Sequence, residues 1–169
     1  MTELVDIVDE EDRVMRQATR AEMRRDNLLH RAVYVVVLDS RGEIFVHRRT
    51  DTKDIHPGYW DVTVGGVVAA GEDYPSAARR ELREELGITV HVLRPLAPVR
   101  YEDAHTRLRG AAFLTVHDGP IRLQEEEIAS GGFVPLTEAQ RIMAEQPCCP
   151  DGVRVLRAYL ASAESPAAG

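Results

Sequence analysis

The sequence predicts an α/β fold, a mixed central sheet with helices on its faces. Three observations carry this. Ala32-Val33-Tyr34-Val35-Val36-Val37-Leu38 is a continuous β-branched run of the kind that fills a buried strand. The glycine-rich turn at Gly65-Gly66 leads into a helical stretch with an apolar stripe at Ala78, Leu82 and Leu86. Two more helical stretches close the chain after a series of strands. At 169 residues the chain is expected to form one domain, residues 1–161, with a frayed tail at 162–169.

Taken in order, Leu4 to Val8 alternates, Asp9 to Asp12 is a polar turn and Arg13 to Arg16 resumes, which predicts an N-terminal hairpin within 3–18. Thr19 to Asp26 reads as a short polar helix with Thr19 as its cap. Ala32–Leu38, the turn Ser40-Arg41-Gly42 and Glu43–His47 predict a buried hairpin central to the sheet. A loop from Thr50 to Trp60, with Pro57-Gly58 inside it, precedes a short strand near Asp61 to Val64. Val90 to Tyr101 and Gly110 to His117 are expected as strands joined by the polar segment Glu102 to Arg109. Phe133 to Leu136 is expected as the last strand. Thr137-Glu138-Ala139-Gln140 has a capping-box pattern opening a helix to Glu145, and Val153 to Ala161 forms a second. Neither an internal repeat nor a linker is visible.

Composition removes several function classes. No apolar run approaches the roughly 20 residues of a membrane span, and the acidic start lacks the regions of a signal peptide, so the expected location is the cytoplasm. Cys148 and Cys149 are the only cysteines and are adjacent, which suits neither a disulfide framework nor a tetrahedral zinc site. A net charge of −7 argues against nucleic acid as the main partner, because affinity for that backbone comes from Lys and Arg. A small phosphorylated ligand is compatible with it, since local cations or a divalent metal suffice. Oligomeric state stays open, a homodimer included.

The informative segment is the helix that follows Gly65-Gly66. Glu81, Glu84 and Glu85 share the face beside the apolar stripe, Asp73 can cap the helix, Pro75 suits its first turn and Gly87 its end. Like charges at this spacing repel by a few tenths of a kcal/mol per pair, and desolvation sharpens the repulsion. A solvated face paired with Arg79, Arg80 and Arg83 is the ordinary explanation. The alternative is a site for Mg²⁺ or Mn²⁺, which prefer hard carboxylate oxygens and keep several waters.

The pattern glycine, five residues, Glu, seven residues, Arg-Glu-apolar, one residue, Glu-Glu, one residue, Gly-apolar resembles the Nudix box. This chain supplies it with Gly66, Glu72, Arg80-Glu81-Leu82, Glu84-Glu85 and Gly87-Ile88. The resemblance implies a Nudix-type α/β/α sandwich and Mg²⁺- or Mn²⁺-dependent hydrolysis of a nucleoside diphosphate linked to another moiety. It implies Glu81 and Glu85 as metal ligands, Glu84 as ligand or general base, and Glu72 as a ligand or the partner of one. Gly66 would belong to the metal site, and Arg80 would orient the glutamates. Within Glu125-Glu126-Glu127, Glu127 is a candidate extra base, because many Nudix enzymes use a glutamate from a loop after the box; a solvated loop is the alternative.

Outside the box, His30-Arg31-Ala32, Arg48 to Lys53, His56-Pro57-Gly58 and Trp60-Asp61 resemble the subgroup related to isopentenyl-diphosphate isomerase. That likeness implies diphosphate contacts from Arg49 and Lys53, against a salt bridge to Asp51 or Asp54. It sets His30 at a metal-histidine position, against a neutral core histidine. Gly65 stands at the position of the isomerase cysteine, and Val67 and Met23 at those of metal histidines, so the isomerase is a secondary reading, as is a silent binding module. Trp60 is a candidate for stacking on a nucleobase, or a core residue near Pro57.

Overall fold

In the computed structural model, residues 2–164 are described. The chain forms β1 (Leu4–Val8), β2 (Val14–Thr19), α1 (Arg20–Arg25), β3 (Leu29–Leu38), β4 (Ile44–Arg49), β5 (Trp60–Asp61), β6 (Val64–Val67) and α2 (Tyr74–Leu86). It continues with β7 (Arg94–Pro95), β8 (Val99–Glu102), β9 (Arg107–Val116), β10 (Ile128–Val134), α3 (Leu136–Glu145) and α4 (Pro150–Glu164).

Strand β3 is the hub. It pairs in parallel with β9 over its whole length, from Leu29↔Arg107 to Leu38↔Val116. It also meets β1 at Ile7↔His30, β6 from Ala32↔Val67 to Val35↔Val64, and β4 at Leu38↔Ile44. Its odd residues Val33, Val35 and Val37 pack with Ala77, Ala78, Leu82 and Leu86 of α2. Its even residues Ala32, Tyr34 and Val36 face a second core with Ala139 and Ile142 of α3 and Val155 and Leu156 of α4. Both faces of the strand are covered, which is why its sequence runs apolar without alternation. The expected layers, helix on sheet on helix, are present.

Several elements differ from expectation for local reasons. The hairpin partner β4 leaves β3 after one paired position and carries β5 and β10 instead. The single strand expected at Asp61–Val64 is split, because Asp61 Oδ1 accepts hydrogen bonds from Thr63 N and Thr63 Oγ1 and turns the chain between β5 and β6. Between Val90 and Tyr101 only β7 and β8 form; Pro95 and Pro98 lack the amide hydrogens a continuous ladder needs. Strand β10 begins earlier than Phe133, and Leu136 belongs to α3. The N-cap of α3 is Pro135 and no side chain caps it, so Thr137 lies inside the first turn and makes no capping box. Thr19 does cap α1, its Oγ1 accepting from Glu22 N at 3.0 Å. Helix α4 runs from Pro150 through Glu164, so Ser162 to Glu164 continue the helix; Ser165 to Gly169, the rest of the expected tail, lie outside the described residues.

His30 is a core histidine, 1% exposed. Its Nδ1–H donates to Leu28 O at 2.9 Å. Burial, aided by the charges of Arg24 and Arg20, holds its pKa down to about 4. The unfolded chain takes up that proton near pH 6.5 and the folded chain only near 4, so stability falls as pH drops through this window. Urea unfolding at pH 7, 5.5 and 4.5 should show wild type losing up to about 1.4 kcal/mol per pH unit more than His30→Asn. Equal slopes for the two proteins would contradict this assignment.

Candidate active site

Helix α2 is fixed at both ends by its own sequence. Asp73 Oδ1 accepts from Ser76 N at 2.8 Å, Pro75 occupies the first turn, and Gly87 ends the helix at φ 65°, where glycine alone is unstrained. Its apolar stripe anchors the buried side, and Glu81 and Glu85 sit at the stripe's edge, each 8% exposed.

Arg80 holds this face together. Its Nε and Nη2 donate to the two oxygens of Glu72, each at 2.9 Å, and Nη1 donates to Glu81 Oε1 at 2.8 Å and Glu84 Oε2 at 3.2 Å. Nη2 also reaches Val67 O at 3.2 Å, tying the guanidinium to β6. One cation therefore serves three carboxylates. The i,i+4 pairing expected of a solvated face is limited to Arg80–Glu84; Arg79 donates to His91 O instead.

The glycines make room. A Cβ on Gly66 would lie 2.7 Å from Glu81 Oε1, and one on Gly65 would lie 1.9 Å from Val33 O. Glu85 receives no hydrogen bond on its carboxylate from the described residues. Burial, with the charge of Glu81 beside it, raises its pKa well above the ordinary carboxylate range. Burial raises Glu81 as well, against the pull of Arg80. Among the described residues no three acidic, histidine or cysteine side chains converge, as they stand, tightly enough to enclose an ion, because Glu72 and Glu81 are turned onto Arg80. The chemistry of the set nonetheless fits one: two buried carboxylates lacking full compensation, a third beside them, and backbone held close at Gly66.

These residues form one wall of a cleft of about 280 Å³. Lys53, Arg20, Glu3, Gln124 and Glu127 line the same cleft. Lys53 is paired with Glu127, not with Asp51 or Asp54, so Glu127 is drawn out of its acidic run into the cleft. Gly65, Gly66, Val67, Arg20 and Lys53 also line an adjoining pocket, which adds Arg24, Arg49, His30, Tyr34, His56, Asp61 and Asp151. Arg49 reaches this pocket with Nε and Nη2 donating to Ile55 O, which folds the 50–59 loop over it.

Trp60 does not line either space. It packs against the α3/α4 core, and its carbonyl accepts from Cys149 N at 2.8 Å, so the core alternative describes it and the stacking role does not. Cys148 and Cys149 precede α4, and burial pushes the Cys148 thiol up to about 12 and Cys149 higher still, so both stay protonated. Sequence reasoning missed Arg20 and Arg24, whose i,i+4 spacing on a capped helix was the available signal. It also missed the pocket floor of Tyr34, Asp61 and Asp151, where residues far apart in sequence meet without any motif.

No helix among the described residues is long and apolar enough to cross a membrane. Residues 28–148 match the family described as NUDIX domain. The chain is 43% identical over 158 residues to the uncharacterized Nudix hydrolase PA4841 of Pseudomonas aeruginosa, covering 94% of each. It is 49% identical over 128 residues to the uncharacterized Nudix hydrolase YfcD of Escherichia coli K12, covering 76% of this chain and 71% of that one. The crystal structure of DR0079 from Deinococcus radiodurans superimposes with a TM-score of 0.76 at 29% identity, over 93% of this chain and 99% of that one. With the box intact from Gly66 of β6 to Ile88 just after α2, the chain belongs to the Nudix hydrolase family.

Proposed function

We propose that the protein is a metal-dependent pyrophosphohydrolase acting on a small organic diphosphate, such as a nucleoside diphosphate linked to another moiety. The observation that supports it best is that Glu81, Glu84 and Glu85 line one cleft together with the cations Arg20 and Lys53. Mg²⁺ or Mn²⁺, held by Glu81 and Glu85 with Glu84, Glu72 and the Gly66 backbone close by, would screen the diphosphate and lower the pKa of an attacking water.

The chain's own residues account for the remaining work. Arg49 and Lys53 bind the diphosphate, and Arg80 holds Glu72, Glu81 and Glu84 against their mutual repulsion. Water adds to phosphorus, the bridging P–O bond breaks, and the proton goes to a carboxylate. Glu84 is suited to take it: its side chain is 49% exposed and only Oε2 is engaged by Arg80. Glu127 is the other candidate once substrate occupies Lys53. Isomerase chemistry is disfavoured, because a side chain at Gly65 would collide with Val33 O, leaving no place there for a thiol.

A screen of nucleoside di- and triphosphates, nucleotide sugars, dinucleotides, coenzyme A and isoprenoid diphosphates with Mg²⁺ or Mn²⁺ should reveal phosphate or nucleotide release. No release, together with no metal binding at millimolar concentration, would leave the binding-module reading in its place.

Glu85→Gln should lower kcat by about 10²-fold or more. It should leave metal-free stability level or raised, since an unpaired buried charge is removed. Lost metal-free stability with intact kcat would mark the glutamate as structural. Lys53→Ala removes a contact made to substrate and transition state alike, so steady-state kinetics should show mainly a raised KM.

A further inference from the structure

We propose that the cavity lined by the 94–100 segment and the later turns of α4 is a second ligand site, taking a small amphipathic organic anion with an acidic head on an apolar body. None of its lining residues belongs to the glutamate cleft or to the pocket beside it, so it stands apart from the diphosphate reading.

The space originates in the strand pairing. Pro95 pairs with Phe113 and Val99 with Gly110, so four steps along one chain face three along β9. The extra residue is a bulge, and Ala97 and Pro98 lie between β7 and β8, outside both ladders. Leu96, Pro98 and Val99 from this segment and Val155, Ala158 and Tyr159 from α4 line a cavity of about 500 Å³. That is the size and the mainly apolar character of a small-molecule pocket. Leu96, Val99, Val155 and Tyr159 also belong to the α3/α4 core, which backs it.

The charge on the lining is of one sign. Arg94, Arg100 and Arg154 line the cavity, and among the described residues no acidic side chain does. None of the three forms an ion pair with a described residue, whereas Arg20, Arg24 and Lys53 in the diphosphate pocket all do. Arg154 is held in place without being neutralised: Nη1 donates to Arg100 O at 2.9 Å, and Cζ stands 5.4 Å from the centroid of the Tyr101 ring. The carboxylate at the hydroxyl end of that ring, Asp103, accepts from Tyr101 Oη, His105 N and Thr106 N. In a chain of net charge −7, three cations left without a carboxylate beside one apolar cavity suit an anion. A guanidinium binds an acidic head by charge-assisted hydrogen bonds, and the apolar lining removes the body from water. An organic cation would be repelled, a neutral apolar molecule would leave the arginines unanswered, and an inorganic anion would leave the lining wet.

The test measures binding of octanoate and phenylbutyrate to the full chain by calorimetry, beside octanol, octylamine and acetate, with sedimentation to follow oligomeric state. One acid should bind at a single site about tenfold or more tighter than each control, as a hydrogen bond to a charged partner implies. Arg154→Gln should remove most of that margin; where it does not fold, Arg94→Gln is read the same way. Ala158→Trp, at an exposed position of α4, should abolish binding by filling the cavity while leaving Tm unchanged. Ala97→Trp, also exposed, takes its place where Tm falls. Lys53→Ala should leave acid binding unaltered. Equal affinity for octanol, binding that survives the tryptophan variant, loss of binding in Lys53→Ala, or no saturable binding of either acid would each overturn the proposal. So would a dimer that the tryptophan variant dissociates with no acid bound, which would give the cavity to a second copy of the chain.

Discussion

The site depends on a single guanidinium. Glu72, Glu81 and Glu84 come from a turn and from two levels of one helix, and nothing in helix geometry alone would hold three carboxylates together. Arg80 does so with four charge-assisted hydrogen bonds, and a fifth bond to Val67 O fixes its own position on the sheet. Because Arg80 is only a quarter exposed, these pairs are screened less than ordinary surface pairs. Glu85 stands outside the clamp, and its compensation has to come from elsewhere. The imbalance is local and lies on the side of the helix facing the cleft, where an ion would be welcome.

That arrangement in turn needs a rigid platform, which is β3. A strand covered on both faces cannot slide by one residue without exchanging its α2 face for its α3/α4 face, so register is strongly specified. The same register places Gly65 and Gly66 opposite Tyr34 and Val33; the missing side chain of Gly66 makes room for Glu81 of α2, and that of Gly65 for the Val33 carbonyl. Tyr34 points to the other side and carries its hydroxyl to Asp151 on α4. Gly65, Gly66 and Val67 of β6 line both the cleft and the pocket, and β3 adds Ala32, Val33 and Tyr34 to the pocket.

Legibility from sequence followed the range of the forces involved. The α2 helix, its cap, its stop and its acidic face were readable because each depends on residues within a few positions: Asp73 on Ser76, Gly87 on its own backbone, Arg80 on Glu84. The hairpin β1–β2 and the Thr19 cap were readable on the same ground. Boundaries set by tertiary pairing were not. Strand β9 begins at Arg107 because β3 offers Leu29 as its partner there, and β10 exists at full length because β4 supplies an edge. The expected capping box at Thr137 failed because Pro135 starts α3 two residues earlier. Within the site, the box residues were named in advance, whereas Arg20 and Arg24 on α1, Asp61 on β5 and Asp151 on α4 converge from three separate segments that no motif joins.

A chain of net charge −7 gathers Arg20, Arg24, Arg49 and Lys53 around one pocket. Arg20 and Arg24 are tied by Asp54, and Lys53 by Glu127, so most of this positive charge is neutralised within the protein. Arg49 differs: among the described residues its guanidinium donates to the Ile55 carbonyl alone, which positions it without cancelling its charge. A carbonyl partner preserves the full attraction for a phosphate at the cost of a small hydrogen-bond energy, whereas a carboxylate partner would have to be displaced. The pocket therefore combines a permanently available cation at Arg49 with an exchangeable one at Lys53. If a diphosphate binds as proposed and takes Lys53 from Glu127, that carboxylate is released into the cleft lined by Glu81, Glu84 and Glu85, and anion binding would be coupled to freeing it.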